Sequence, residues 1–193
     1  LSFASCTVLS NERILRMDTA CVEKTTVFRD EKNRRTRIDS LLFVSFATPR
    51  SICVRCTITP LDHDAPLHCE GRIDTAATNP GGVRLWETRE ERRENSLTAL
   101  ACTTPCGSHT IAIANHCSVT KTGPSVTVVL SGFAGKTHLD EACEHLQKEA
   151  ARPFDERCDA HCAAVKEALR PGALHVDADP PTRQGLCFGR MHL

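Results

Sequence analysis

Apolar and polar positions alternate most clearly between Ile38 and Cys69. Leu42, Val44 and Phe46 alternate with Phe43, Ser45 and Ala47, and Pro49-Arg50 ends the run. A second extended run, Ile52 to Thr59, stops at Pro60. Two β-rich runs around a short proline-containing break predict a hairpin. A hairpin alone is marginal in water, so packing or covalent staples must hold it. Upstream, residues 5–9, 14–17 and 21–28 read as strands, with a turn at Asn11-Glu12-Arg13. The charged run 29–37 reads as a solvated loop. Downstream, Thr110 to Ala114 alternates, and Ser125 to Leu130 (SVTVVL) is the strongest strand pattern.

The period then changes. Leu139, Ala142, Cys143, Leu146 and Ala150 recur at helical spacing behind a capping Thr137. A second helix is predicted from Phe154 to Leu169, with Cys158, Cys162, Val165 and Leu169 on one stripe and Pro171-Gly172 as its stop. Leu174-His175-Val176 is a short strand candidate, and 177–193 reads as irregular, with Cys187 as the residue that would tie it down. Residues 75–82 are small, polar and turn-prone. The expected organisation is a β-rich unit over 1–74, a linker over 75–96 and an α+β unit over 97–193.

Composition narrows the function. Lys+Arg and Asp+Glu balance at 24 each, which gives no electrostatic footprint for nucleic acid. Aromatic residues make up 4% of the chain, so base-stacking platforms are poorly supplied. No apolar run approaches the roughly 18 residues of a membrane span. The chain begins at Leu1 rather than Met, as a processed or partial chain would.

Cysteine changes the picture most. Cys6, Cys21, Cys53, Cys56, Cys69, Cys102, Cys106, Cys117, Cys143, Cys158, Cys162 and Cys187 form an even, dispersed set. Such a set reads as a disulfide framework in an oxidising compartment. Alternation sends Cys53 and Cys56 to opposite faces of a strand, which argues against a shared metal there with His63, His68, Asp62 or Asp64. Cys158 and Cys162, one helical turn apart, each point to a partner on another element, for example Cys143. A metal held by Cys158, His161 or Cys162 lacks a clear fourth ligand. No metal or cofactor is therefore assigned.

Two short motifs remain. Gly132-Phe133-Ala134-Gly135-Lys136-Thr137 sits between a strand and a helix, as a phosphate loop does, but Leu130 stands where the first glycine belongs. Arg89 and Arg92 have the spacing of a proprotein-convertase cleavage site. No G-x-S-x-G nucleophile elbow is present.

The order of features in residues 1–93 resembles the C-terminal half of the zona pellucida (ZP) module, a polymerising extracellular domain. Phe3 to Ser10 carries Cys6, Ile14 to Ala20 leads into Cys21, Val54 to Ile58 carries Cys56, and Leu67-His68 precedes Cys69. The resemblance implies an immunoglobulin-like β-sandwich, disulfides Cys6–Cys21 and Cys56–Cys69, and an assembly role. The expected fold is thus α+β and disulfide-rich, with a β-sandwich-like first half and a strand plus helical hairpin in the second. The expected protein is a secreted or cell-surface structural module without catalysis, bound to a protein partner or to itself. The alternatives are a metal-binding cytosolic or organellar accessory subunit, or a small phosphate-binding enzyme using Gly132 to Thr137.

Overall fold

Eight strands join in one antiparallel sheet: β1 (Thr7–Arg16), β2 (Cys21–Arg29), β3 (Arg35–Val44), β4 (Ser51–Pro60), β5 (Glu87–Glu94), β6 (Leu97–Thr103), β7 (Thr110–Thr122) and β8 (Ser125–Gly135). Their spatial order is β1-β2-β3-β4-β8-β7-β6-β5. The structure, a computed structural model, describes residues 6–69, 71–74, 76, 78, 82, 86–170 and 176–191. The sheet is two meanders, β1–β4 and β5–β8, zipped together where β4 pairs with β8. Each meander thereby covers a strand edge that the other would otherwise leave open.

Strand alternation sorts the two faces. Phe43, Cys53, Ser131, His116 and Leu97 are successive cross-strand partners and form one row across β3, β4, β8, β7 and β6. Three helices follow the sheet: α1 (Leu139–Ala150), α2 (Phe154–Leu169) and α3 (Pro180–Met191). α1 buries Leu139, Ala142, Cys143 and Leu146 against Leu97, Ala99, Ala112, Ala114 and Phe133. α2 buries Phe154 against Cys21, Phe43 and Cys53. Arg55 of β4 pins the start of α2, its guanidinium 4.4 Å from the Phe154 ring centre and 2.6 Å from Asp155.

Several expectations are corrected. The fold is one antiparallel sheet with three helices, not an immunoglobulin-like sandwich followed by an α+β unit. Strands from before and after residues 75–86 share that sheet, and residues 87–94 form β5. The expected turn at 11–13 lies inside β1, which takes only a bulge between Val8 and Ser10. Residues 177–193 include α3, because the Asp179 carboxylate accepts from the Thr182 N–H at 3.0 Å and hydroxyl at 2.8 Å while Pro180 supplies a pre-formed first turn. Most of 75–85, and Leu174 and His175 of the strand candidate, lie outside the described residues.

The disulfide framework does not form: Cys21, Cys53, Cys56, Cys69, Cys102, Cys106, Cys117, Cys143, Cys158, Cys162 and Cys187 are all unbridged thiols. The β1–β2 register shows why for one pair. Thr7 lies opposite Arg29 while Arg16 lies opposite Cys21. Cys6 and Cys21 therefore sit at opposite ends of the hairpin, about 30 Å apart at about 3.3 Å per residue. A disulfide needs Cα atoms within about 7 Å. Cys69 lies near Cys56, where burial and then this neighbouring thiol push the Cys56 pKa up, but the two are not bonded.

Candidate functional site

The face of α2 that meets the sheet carries Phe154, Arg157, Cys158, His161, Cys162 and Val165. These positions follow the spacing of an amphipathic stripe. Four of the six, however, are polar, ionisable or nucleophilic, where a purely structural helix would place aliphatic residues. The cleft beneath them is the richest concentration of buried chemistry in the described residues.

Arg157 is 4% exposed. Its Nη1 donates to Ser131 Oγ at 2.7 Å and approaches Cys53 Sγ at 3.4 Å, while its Nε has no partner. Beside it lies a cavity of about 230 Å³ lined by His116, Ser118, Ser131, Arg152, Phe154 and Arg157. Burial, and then the Arg157 charge, hold the His116 pKa below its ordinary value.

His161 is fully buried between Phe43 and Phe46, with ring centroids at 4.7 and 5.9 Å. The Phe46 backbone N–H donates to His161 Nδ1 at 3.1 Å. That bond leaves Nδ1 as the acceptor, so the proton sits on Nε2 of a neutral ring. Burial lowers the His161 pKa, consistent with the same neutral state.

Cys21, the first residue of β2, meets Cys158 and Cys162 of α2, with all three sulfurs within 4.8 Å of one another. The Cys21 thiol donates to the Thr19 carbonyl at 3.3 Å. Burial, then Cys162 and Cys21, push the Cys158 thiol up to about 12. The partner of the two helical cysteines is thus Cys21, not Cys143, which packs in the α1 core. Helical spacing made Cys158 and Cys162 visible in the sequence. Cys21 was not, because the β1–β2 turn alone brings it there, with Ala20 at φ +49°.

A second concavity, of about 490 Å³, opens at the β3–β4 turn. Val44, Ile52, Val54, Ile73 and Leu130 line it with Arg50. Val44 and Phe46 stay more than half exposed, and Ile52 is also exposed.

Other anticipated sites do not assemble. Gly132 lies inside β8, paired with Ile52 and Asn115, so the segment up to Gly135 is strand and not a phosphate-wrapping loop. Thr137 bonds Glu141 by its side chain, and His138 takes the α1 cap position. His63 bonds Thr36 at 3.0 Å and Asp62 pairs with Arg35 at 2.7 Å. Arg89 and Arg92 sit on β5, paired with Glu87 at 2.8 Å and Asp140 at 2.7 Å respectively. No helix among the described residues is long and apolar enough to cross a membrane.

Residues 1–129 match the family described as glycosyl hydrolase family 65, N-terminal domain, and the chain belongs to that family. A curated relative is the kojibiose phosphorylase of Caldanaerobacter subterraneus subsp. tengcongensis, 32% identical over 74 residues, which are 38% of this chain and 10% of that protein. A solved kojibiose phosphorylase-like protein from the human microbiome superposes with a TM-score of 0.63 over 86% of this chain and 25% of that one. At 12% identity that likeness concerns the fold. The chain spans a tenth of the curated relative's length and a quarter of the solved one's.

The family assignment replaces the zona pellucida resemblance and the reading as a structural module without catalysis. The family is one of enzymes. The secreted or cell-surface placement rested on disulfides and on that resemblance, and both supports are gone. The generic alternation of β-strands and an ordered run of cysteines had produced the resemblance. Neither feature is specific to one β-fold.

Proposed function

We propose that this chain is the amino-terminal domain of a kojibiose-phosphorylase-like enzyme and that it docks, through the open end of its sheet, onto the region that cleaves the glycoside. The observation that carries the docking role is the exposed apolar set Val44, Phe46 and Ile52 beside a groove floored by Val54 and Leu130. Contiguous exposed apolar surface of this kind marks interaction sites. Cleavage of a glycoside ordinarily draws on positioned carboxyl groups. Among the described residues, neither the groove nor the cavity beside Arg157 is lined by Asp or Glu. The partner in this reading is protein, and the balanced charge offers nothing to nucleic acid.

The test is complementation. A kojibiose phosphorylase lacking its own amino-terminal domain is mixed with this chain, and phosphate-dependent release of sugar phosphate from kojibiose is measured. Co-elution and restored turnover, both abolished by Val44→Asp with Ile52→Asp, support the proposal. Absence of association, or association indifferent to the two substitutions, overturns it.

A further inference from the structure

The thiol cluster of Cys21, Cys158 and Cys162 is not used by the docking role, and its geometry is that of a ligand set. Cys158 and Cys162 lie one helical turn apart on α2, where residues i and i+4 share a face. The same spacing lets paired helical ligands grip one ion in other metal motifs. Cys21 arrives from a separate element, held by its thiol bond to the Thr19 carbonyl. The three sulfurs lie within 4.8 Å of one another. Thiolates around one zinc ion at about 2.3 Å stand about 3.8–4.0 Å apart, so rotamer adjustment of less than about 1 Å closes the set.

Access and surroundings fit as well. Cys21 is buried, whereas Cys158 and Cys162 are half-buried, which leaves an approach from solvent. Phe43, Phe154 and Leu41 wall the inner side with apolar surface. Soft thiolate ligands select zinc and copper(I) over the hard cations that prefer oxygen. His161 stands between the two helical cysteines in sequence but turns its Nδ1 to the Phe46 N–H, so three sulfurs form the set.

We infer that Cys21, Cys158 and Cys162 bind a soft divalent metal ion, zinc being the reference ion, through three thiolates with the fourth position open to water. Binding converts three thiols and one Zn²⁺ into a tris-thiolate zinc–water complex of net charge −1 and releases three protons. No oxidation state changes. The site would tie the β1–β2 turn to α2, an inference that stands apart from the docking role.

Cobalt(II) is the probe, because thiolate coordination gives an intense sulfur-to-cobalt charge-transfer band. Titration of the reduced chain is expected to saturate at one equivalent, and zinc is expected to bleach the band. Cys162→Ser and Cys158→Ser should each weaken binding by at least about tenfold, the scale on which even outer-shell changes act. Cys106→Ser and Cys187→Ser, at exposed thiols, should leave it unchanged. Cys21→Ser removes a buried thiol, so its circular dichroism is compared with the parent, and half-buried Cys162→Ser carries the decision. The inference is overturned by the absence of a saturable cobalt band. It is equally overturned by a band that survives Cys162→Ser in folded protein. A mass two daltons lower, mapped to a Cys21 disulfide in protein purified without oxidant, also overturns it.

Discussion

The His161 ring lies almost flat on Phe43, with ring centroids 4.7 Å apart and planes inclined by 16°. This contact joins α2 to β3, and the Phe46 N–H bond to Nδ1 fixes the ring's orientation. The hydrogen bond into Nδ1 requires that nitrogen to be unprotonated, and therefore the neutral imidazole.

Acid should therefore loosen the helix–sheet cleft. Burial depresses the folded pKa of His161, and burial with Arg157 depresses that of His116. The unfolded chain thus binds more protons below the ordinary histidine value of about 6.5. Stability from these groups is fully present above about pH 6.5 and is lost as pH falls through their folded pKa values. Thermal melts between about pH 7.5 and about pH 5 should show a falling midpoint, and His161→Gln should shrink the fall. A midpoint independent of pH over that range in the parent chain would refute this.

Phe43 is fully buried and also touches Phe154, ring centroids 5.6 Å apart. Phe43→Ala should destabilise by about 3–5 kcal/mol in urea denaturation, the range for a deleted core aromatic. Phe43→Leu should lose clearly less. Equal losses would mean that the ring contacts with Phe154 and His161, which leucine cannot make, carry the loss and that filled volume contributes little.

Gly71 is where the chain after β4 presses on the sheet. A methyl there would stand 2.7 Å from Leu130 Cδ2 and 2.9 Å from Cys117 Cβ. Gly71→Ala should cost about 1–3 kcal/mol, as overpacking does, and speed proteolysis in the adjoining segment. Gly82→Ala, with φ +76° but nothing within 4 Å, tests backbone strain without crowding. Unchanged proteolysis in the first variant would show that this segment does not depend on the close approach.

Cys106 is exposed and close to the hydroxyls of Ser108 and Thr104, at 2.9 and 3.3 Å. Those bonds, Ser108 first, lower its pKa to about 7. It should be the first thiol alkylated by iodoacetamide at neutral pH, with a rate that rises through about pH 7 because the thiolate is the nucleophile. Peptide mapping reads this directly, and Ser108→Ala should move the midpoint upward. Prior modification of Cys158, whose thiol is pushed up to about 12, would contradict the ranking.

The local elements were largely legible. Pro49-Arg50 does break two strands, β3 and β4, that pair with Phe43 opposite Cys53. The helical stripe from Phe154 to Leu169 coincides with α2. Such features depend on residues a few positions apart, and alternation or a 3.6-residue period records them. The continuous β1 was less legible, since Asn11-Glu12-Arg13 looks like a turn until Thr26 and its neighbours pair with it. The Thr26 hydroxyl donates to the Asn11 side chain at 2.9 Å, a partner the local sequence does not contain.

By itself the sequence determined the period of each element and the stripe on α2 that holds Arg157, Cys158, His161 and Cys162. Only the tertiary structure decided what those side chains meet. The pairing of β4 with β8 brings Ser131 beside Cys53 under Arg157, and the turn after β1 carries Cys21 to α2. A cysteine reads the same in sequence whether it ends as a disulfide, a buried thiol or a ligand. Its chemistry is set by the distance to the next sulfur, and for Cys21 that distance is fixed by the packing of α2 on the sheet, more than a hundred positions away along the chain.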